Sequence, residues 1–209
     1  MPEVFLARHG ETTWNAIGRY QGRQESELSL LGAAQARALA HAMSAYDLHA
    51  VTSSPLKRCV ETARPAAAQA GLAVHTDELL LEIAHGAWEG RLRDDLARED
   101  PERYFKWRNQ PEIVDFENGE SVADVLARWK SFVAGFDPPG NTLLVTHDAV
   151  IRCALLNRTG RPLSTFWQGR VLNGAYAWFT VEGGRWTLNN ECVSEHLVGI
   201  IADPSTQAL

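Results

Sequence analysis

Residues 4–10 read Val-Phe-Leu-Ala-Arg-His-Gly, an apolar run that ends abruptly in a cation, an imidazole and a glycine. The run predicts a buried β-strand, which places Arg8 and His9 at its carboxyl end. In α/β folds ligands bind at that edge of the sheet, and Gly10 would let the backbone approach a ligand closely. The alternative is an ordinary strand end with two exposed polar side chains. On these residues alone both interpretations stay open.

Two more segments place polar side chains just after apolar runs. A strand is expected over residues 142–146 and ends at His147, and the apolar periodicity of residues 150–156 predicts a helix after it. Further towards the N-terminus, a short apolar run is followed by Ser-Ser-Pro. This pattern predicts a helix with Ser54 as its N-cap and Arg58 in its first turn. The sequence therefore places a second imidazole at a second strand end.

Strands and helices alternate along most of the chain. Helices are expected over residues 30–46 and 55–70, followed by an extended stretch at residues 73–75. Short strands with crossing helices imply an α/β fold, a three-layer sandwich whose mostly parallel central sheet carries helices on both faces. Residues 176–181 and 186–190, divided by a Gly-Gly pair, predict a hairpin.

The segment at residues 91–118 interrupts this alternation. It is charged, aromatic and helical in pattern, with Pro101 and Pro111 as breaks. One interpretation is a solvated helical pair, and the other is a cap over a site. After it, Ser-x-x-Asp beginning at Ser121 predicts a capping box that opens a helix over residues 122–133.

Composition limits the classes of protein. A chain of 209 residues that is 45% hydrophobic can bury one sizeable core, so a single domain over residues 1–209 is expected. The net charge of −6 argues against a surface for nucleic acid or anionic membrane. No apolar run approaches the roughly 20 residues that span a bilayer. Three cysteines without a Cys-x-x-Cys pair, and no signal-peptide pattern, predict a reduced, cytoplasmic protein.

Five ordered elements together resemble the histidine phosphatase superfamily, also called phosphoglycerate mutase-like. The resemblance runs from Phe5 to about Phe179. It rests on Arg-His-Gly at residues 8–10 with Thr12 and Asn15, Gln21-Gly22, Ser-Pro-Leu-x-Arg carrying Arg58, Glu82 ahead of Gly-x-Trp-Glu-Gly, and His147.

The resemblance implies a metal-free reaction without a cofactor. His9 would be the nucleophile and would form a phosphohistidine, with one ring nitrogen fixed by a hydrogen bond, usually to a nearby backbone carbonyl. Glu82, which follows an apolar run, would protonate the leaving group and then activate water. Arg8, Arg58 and a protonated His147 would supply the positive charge that a phosphate monoester requires.

Five further residues are candidates for binding the substrate. Asn15 would donate an N–H to phosphate, and Gln21 and Gly22 belong to the matching motif. His85 would either contact the substrate or only stabilise its own turn. Asp148 would either cap the following helix or bias the pocket towards substrates that carry amino or hydroxyl groups. No metal site is expected, because the remaining histidines have no zinc-like spacing with cysteine.

The Gly-x-Trp-Glu-Gly sequence at residues 86–90 is typical of the phosphatase branch and differs from the segment found in cofactor-dependent phosphoglycerate mutases. Within that branch the chain looks most like metal-independent phosphoserine phosphatases, and it is similar to other small-molecule phosphatases. The expected partner is a small phosphate ester, with Arg19, Arg23 and His85 as candidates for binding a carboxylate. A homodimer is possible. A mutase and a catalytically silent binding protein remain as alternatives.

Overall fold

The protein is described from a computed structural model, which covers residues 1–203 and 207–208. Its centre is a six-stranded sheet of order β3-β2-β4-β1-β5-β6. Strands β1 to β4 are mutually parallel where they pair, and β5 and β6 are antiparallel. The strands are β1 Glu3–Arg8, β2 Leu48–Ser53, β3 Val74–Thr76, β4 Asn141–Thr146, β5 Tyr176–Glu182 and β6 Arg185–Val193.

Helices cover both faces of this sheet, which confirms the expected three-layer α/β fold. Within the described residues they are α1 Thr13–Ala16, α2 Leu30–Met43, α3 Lys57–Ala70, α4 Arg93–Glu99, α5 Pro101–Asn109, α6 Val122–Gly135 and α7 Asp148–Thr159.

Strand β1 shows why the sheet is covered on both sides. Its residues from Val4 to Arg8 are all buried. Val4 and Leu6 belong to the core that includes α6 and α7, whereas Phe5 and Ala7 belong to the core that includes α2 and α3. Because side chains alternate between the two faces of a strand, a continuous apolar run requires apolar layers on both sides.

The register of the parallel strands brings the candidate residues to one edge. Arg8 of β1 lies opposite Thr146 of β4, so His9 and His147 follow at neighbouring positions. The His9 N–H donates to the Thr146 carbonyl oxygen at 3.0 Å. On the other side of β4, the Ser54 N–H donates to the carbonyl oxygen of Val145 at 2.9 Å. Three chain segments therefore leave the sheet side by side.

Several helix limits differ from the sequence prediction. Helix α2 ends at Met43, and α3 begins at Lys57 with Leu56 in the N-cap position and no side-chain cap. The prediction that Ser54 caps α3 is therefore wrong. Helix α7 begins at Asp148, so this residue does not cap it, and His147 occupies the N-cap position.

Two local predictions are confirmed and one glycine has a different role. The Ser121 capping box opens α6, and the β5–β6 hairpin forms.

At Gly10 a Cβ atom would lie 2.5 Å from the carbonyl oxygen of Gly32 at the start of α2. Close packing of two backbones therefore requires this glycine, and approach to a ligand is not needed to explain it.

The segment at residues 91–118 folds as α4, α5 and a short turn at Pro111–Ile113. It is not a freely solvated pair of helices, because Trp107 and Phe116 are almost fully buried and both contact the ring of His85. The segment thus packs onto the loop that follows Glu82. None of the described helices is long and apolar enough to cross a membrane.

Candidate active site

The residues that the sequence singled out for catalysis lie together at the carboxyl edge of the parallel strands. Arg8, His9, Arg58, Glu82 and His147 are each at most 5% exposed. The ring centroids of His9 and His147 are 5.2 Å apart. Burial of this many ionisable groups in one place is energetically costly, and such clusters concentrate at functional sites, so this one is a strong candidate active site.

The ring of His9 is fixed in one tautomer. Its Nδ1 lies 2.7 Å from the carbonyl oxygen of Gly10, which can only accept, so Nδ1 carries the proton. Burial lowers the pKa of His9 well below its ordinary value, and the charges of Arg58 and Arg8 lower it further. The imidazole is therefore neutral, and Nε2 keeps an unprotonated lone pair. The Gly10 carbonyl is the backbone acceptor expected from the sequence.

The surroundings of His147 favour its neutral form. Its Nε2 lies 2.8 Å from Ser54 Oγ and 3.4 Å from Cys59 Sγ. Burial, followed by the charge of Arg58, lowers the pKa of His147 well below its ordinary value. These surroundings favour the neutral imidazole, and the protonated His147 that the resemblance implies stays a prediction for the phosphate-bound site.

Arg58 reaches from α3 into the buried site. Its two terminal nitrogens donate to the carbonyl oxygens of Gln24 at 2.9 Å and Gly22 at 2.7 Å. Gly22 therefore holds the arginine through its carbonyl. Arg58 Nε is buried and has no hydrogen-bond partner within the described chain. This leaves one charged donor available for a ligand.

Arg8 is held in a similar way at the end of β1. Its Nη1 donates to the carbonyl oxygen of Val171 at 2.9 Å, and its Nη2 donates to Gln207 Oε1 at 2.8 Å. Asp148 Oδ2 lies 3.6 Å from Nη1. Arg8 Nε, like that of Arg58, is buried without a partner among the residues that the structure describes.

Asn15 and Gln21 meet through Thr12. Asn15 Oδ1 accepts from the Thr12 backbone N–H at 3.1 Å in a capping box, and Gln21 Oε1 accepts from Thr12 Oγ1 at 2.9 Å. Asn15 Nδ2 is buried and unpartnered within the described residues. Asn15 can therefore donate to a ligand, whereas Gln21 contributes by holding the loop.

The carboxyl group of Glu82 keeps its proton at pH values well above those at which a glutamate usually ionises. Oε1 accepts from the backbone N–H of Ile83 at 2.9 Å and of Ala149 at 3.3 Å. Burial raises the pKa of Glu82 to about 7, and the charge of Asp148 raises it in the same direction. The Ile83 N–H and the two arginines oppose this shift. Near neutral pH the carboxyl can therefore act as either acid or base.

Asp148 is an electrostatic partner of the site. It forms a buried ion pair with Arg152 one turn along α7, and it lies near Arg8. Of the two alternatives for Asp148, the helix cap is wrong, because this residue is the first of α7 and its N-cap is His147. Its charge is the largest one that raises the pKa of Glu82.

His85 lies in an aromatic surround beside Glu82. Its ring centroid is 5.0 Å from Tyr20 and 4.9 Å from Phe116, and burial lowers its pKa to about 3. Neither ring nitrogen has a partner in the described part of the chain. His85 and Glu82 line one cavity of about 10 Å³, which is the size of a single water. His85 and Glu82 therefore border the same small cavity, and both interpretations of His85 stay open.

The sequence assigned no role in the site to four residues that contribute to it. Ser54 binds His147, and Thr62 Oγ1 accepts from the Gly10 N–H at 2.9 Å. Both lie in the motif around Arg58, which was the available signal. Asn173 donates to the His9 carbonyl oxygen and accepts from Gln207, and neither residue stood in any recognisable pattern.

Two arginines proposed for a carboxylate are engaged elsewhere. Arg19 donates to the Gly90 carbonyl oxygen at 2.7 Å and stacks over Trp14. Arg23 pairs with Glu120 at 3.0 Å. Both are therefore already used in holding local structure.

Comparison with known proteins agrees with this geometry. The family model of the histidine phosphatase superfamily (branch 1) matches residues 4–192. Phosphoserine phosphatase 1 of Hydrogenobacter thermophilus is 35% identical over 94% of this chain and 95% of its own length. Adenosylcobalamin/alpha-ribazole phosphatase of Escherichia coli is 32% identical over 83% of this chain and 87% of its own length.

The solved structure of Bacillus stearothermophilus YhfR superposes with a TM-score of 0.87 at 29% identity, covering 93% of this chain and 98% of that one. Sequence motifs, fold and similar proteins thus agree, and the phosphatase class expected from the sequence is confirmed. The chain belongs to the histidine phosphatase superfamily.

Proposed function

We propose that this chain hydrolyses the phosphate monoester of a small metabolite through a phosphohistidine on His9. One observation carries the proposal. His9 is neutral, and its Nδ1 is anchored on the Gly10 carbonyl. Each of the two buried arginines beside it keeps one N–H that has no partner among the residues described. A neutral imidazole with a fixed orientation is a competent nucleophile, and fixed cations can hold the phosphoryl group.

In the first half-reaction His9 Nε2 forms a bond to phosphorus while the bond from phosphorus to the ester oxygen breaks. Protonated Glu82 gives its proton to the leaving oxygen, so a neutral alcohol departs. In the second half-reaction water attacks phosphorus and the N–P bond breaks. The Glu82 carboxylate accepts the proton of that water, which restores both His9 and the acid.

The phosphoryl charge would be met by fixed donors. Arg8 Nε, Arg58 Nε and Asn15 Nδ2 are three buried donors that have no partner within the described residues. A dianion bound beside neutral His147 would raise the pKa of that imidazole and favour its protonation. The ring would then add positive charge only when the ligand is bound.

The remaining candidate residues support these groups. Gly22 positions Arg58, and Gln21 holds the loop of Asn15. Asp148 adds to the burial that raises the pKa of Glu82. We assign His85 to contact with the leaving group because it lines the cavity of Glu82. In this proposal residues 1–209 act as one domain, with residues 91–118 as the cap.

The proposed reaction requires no metal. Among residues 1–203 and 207–208, no group of three or more His, Cys, Asp and Glu side chains is placed to hold an ion. We also place the reaction in the cytoplasm, since Cys59, Cys153 and Cys192 are free thiols. A small phosphate ester as substrate is supported by the phosphatase names of the two relatives.

The deciding experiment measures release of inorganic phosphate from p-nitrophenyl phosphate and 3-phosphoglycerate in the presence of a chelator. We expect activity that persists with chelator and disappears in His9→Ala. His75→Ala, which alters an exposed histidine on β3, is the matched control. Loss of activity with chelator, or full activity in His9→Ala, would contradict the mechanism. Conversion of 3-phosphoglycerate to its 2-isomer after a bisphosphate primer, without phosphate release, would instead identify a mutase.

A further inference from the structure

A second cavity, of about 300 Å³, adjoins the site on the side of Arg8. Its walls come from the start of α7, the end of α5 and the loop at residues 167–172. Five charged side chains line it, and they are Arg8, Arg108, Asp148, Arg152 and Arg170. Four cations and one anion give this cavity an excess of positive charge in a chain whose net charge is −6.

The cavity lies where the leaving group of the proposed reaction would extend. Asp148 and Trp167 line both this cavity and the small one that contains Glu82 and His85. Glu82 would protonate the leaving oxygen, so the atoms beyond that oxygen have the larger cavity as neighbouring space. A volume near 300 Å³ is at the lower end of small-molecule pockets and exceeds what an ester oxygen alone requires.

Two of the four arginines keep their charge available. Arg152 is paired with Asp148, and the same carboxylate lies 3.6 Å from Arg8. By contrast, no carboxylate of the described residues lies within 4 Å of a charged nitrogen of Arg108 or Arg170. Arg108 and Arg170 are both exposed, and within the described part of the chain no carboxylate compensates their charge.

Trp167 gives Arg108 a defined position although this arginine is exposed. The Arg108 guanidinium carbon lies 4.8 Å from the Trp167 ring centroid, and that of Arg152 lies 5.1 Å from the same ring. The Trp167 indole N–H donates to the Trp107 carbonyl oxygen at 2.7 Å, which fixes the ring against α5. Stacking reduces the conformational freedom that a free surface arginine would lose on binding an anion.

We propose that this cavity binds an anionic group on the leaving alcohol, a carboxylate or a second phosphate, and that Arg108 and Arg170 select for it. The inference rests on the proposed function and names its substrate class. A planar guanidinium group can donate two hydrogen bonds to the two oxygens of one carboxylate or phosphate group. A cavity with net positive charge also disfavours cationic groups on the substrate. Esters of uncharged alcohols would therefore be poorer substrates.

The test compares kcat/KM for two substrates that share a scaffold. 3-Phosphoglycerate carries a carboxylate where glycerol 3-phosphate carries a hydroxymethyl group. We expect the wild type to prefer 3-phosphoglycerate. Arg108→Gln and Arg170→Gln should each lower kcat/KM for it by about tenfold, with at least a fivefold smaller loss for glycerol 3-phosphate. Arg108→Lys keeps the charge but loses the planar fork, so its kcat/KM for 3-phosphoglycerate should lie between those of the wild type and Arg108→Gln.

Arg98→Gln is the matched control, because it removes an arginine of the same cap whose side chain is 69% exposed. It should leave the ratio of the two kcat/KM values unchanged within twofold. Equal losses of kcat/KM on both substrates, or a wild type that does not prefer 3-phosphoglycerate, would overturn the inference. The proposed function would still stand if p-nitrophenyl phosphate were hydrolysed. Absence of phosphate release from every substrate would contradict both the inference and the proposed function.

Discussion

Replacing Glu82 by glutamine should separate stability from activity in a pH-dependent way. The carboxyl ionises near its ordinary value of 4.5 in the unfolded chain, whereas in the folded protein it holds its proton up to about pH 7. The folded state therefore binds more protons between these values, and the free energy of unfolding falls as pH rises through this window. At 1.36 kcal/mol per pKa unit the loss is about 3 kcal/mol when complete, and about 2.5 kcal/mol of it falls between pH 5 and pH 8.

Glu82→Gln removes this loss because the amide does not ionise. Its oxygen can still accept from the backbone N–H groups of Ile83 and Ala149, so packing is kept. Urea unfolding from pH 5 to pH 8 should show the variant gaining about 2.5 kcal/mol relative to the wild type, while phosphate release is lost. Glu117→Gln, at an exposed position, corrects for the missing negative charge. A difference that changes by less than about 1 kcal/mol over this range would refute a buried, protonated carboxyl.

Three further experiments test the same site by initial rates and, in the last case, also by the free energy of unfolding. The kcat for an alkyl phosphate should fall as pH rises through about 7, where Glu82 loses its proton. The kcat for p-nitrophenyl phosphate should fall less, because its phenolate can leave without being protonated. Identical pH profiles for the two substrates would exclude Glu82 as the acid. Arg58→Lys should lower kcat/KM at least tenfold, since lysine lacks the planar fork, whereas Arg64→Lys on the exposed side of α3 should not. Ser54→Ala should reduce the free energy of unfolding by about 1–2 kcal/mol and lower kcat, because a ring nitrogen of His147 loses its partner; unchanged values of both would show that this hydrogen bond is unimportant.

The parts of the site that follow from chain direction could be predicted from the sequence. His9 and His147 both come directly after apolar strands, and parallel strands in one sheet end at the same edge. Their proximity therefore needed only the correct fold class. Glu82 required the motif as well, because no strand positions it.

Features that depend on distant contacts could not be predicted. Ser54 precedes a proline, which locally favours an N-cap, but its hydroxyl instead bonds His147, 93 residues away. Gln207 meets Arg8 across 199 residues, and no periodicity signals such a pair. The lowered pKa of His147 depends on burial beside Arg58, which a linear sequence does not specify. The failures thus share one cause, namely that tertiary surroundings outweigh local propensity.

Burial explains how one pocket can hold both a nucleophile and an acid in the forms that the first half-reaction requires. It disfavours charge on any group, so it lowers the pKa of His9 and raises that of Glu82. Arg8 and Arg58 help to keep His9 neutral, but they favour the ionised form of Glu82. Asp148 offsets them at the carboxyl, and it can do so because its own charge is stabilised by Arg152. Burial and, after it, the Asp148 carboxylate thus allow the cations needed for phosphate to coexist with a protonated acid.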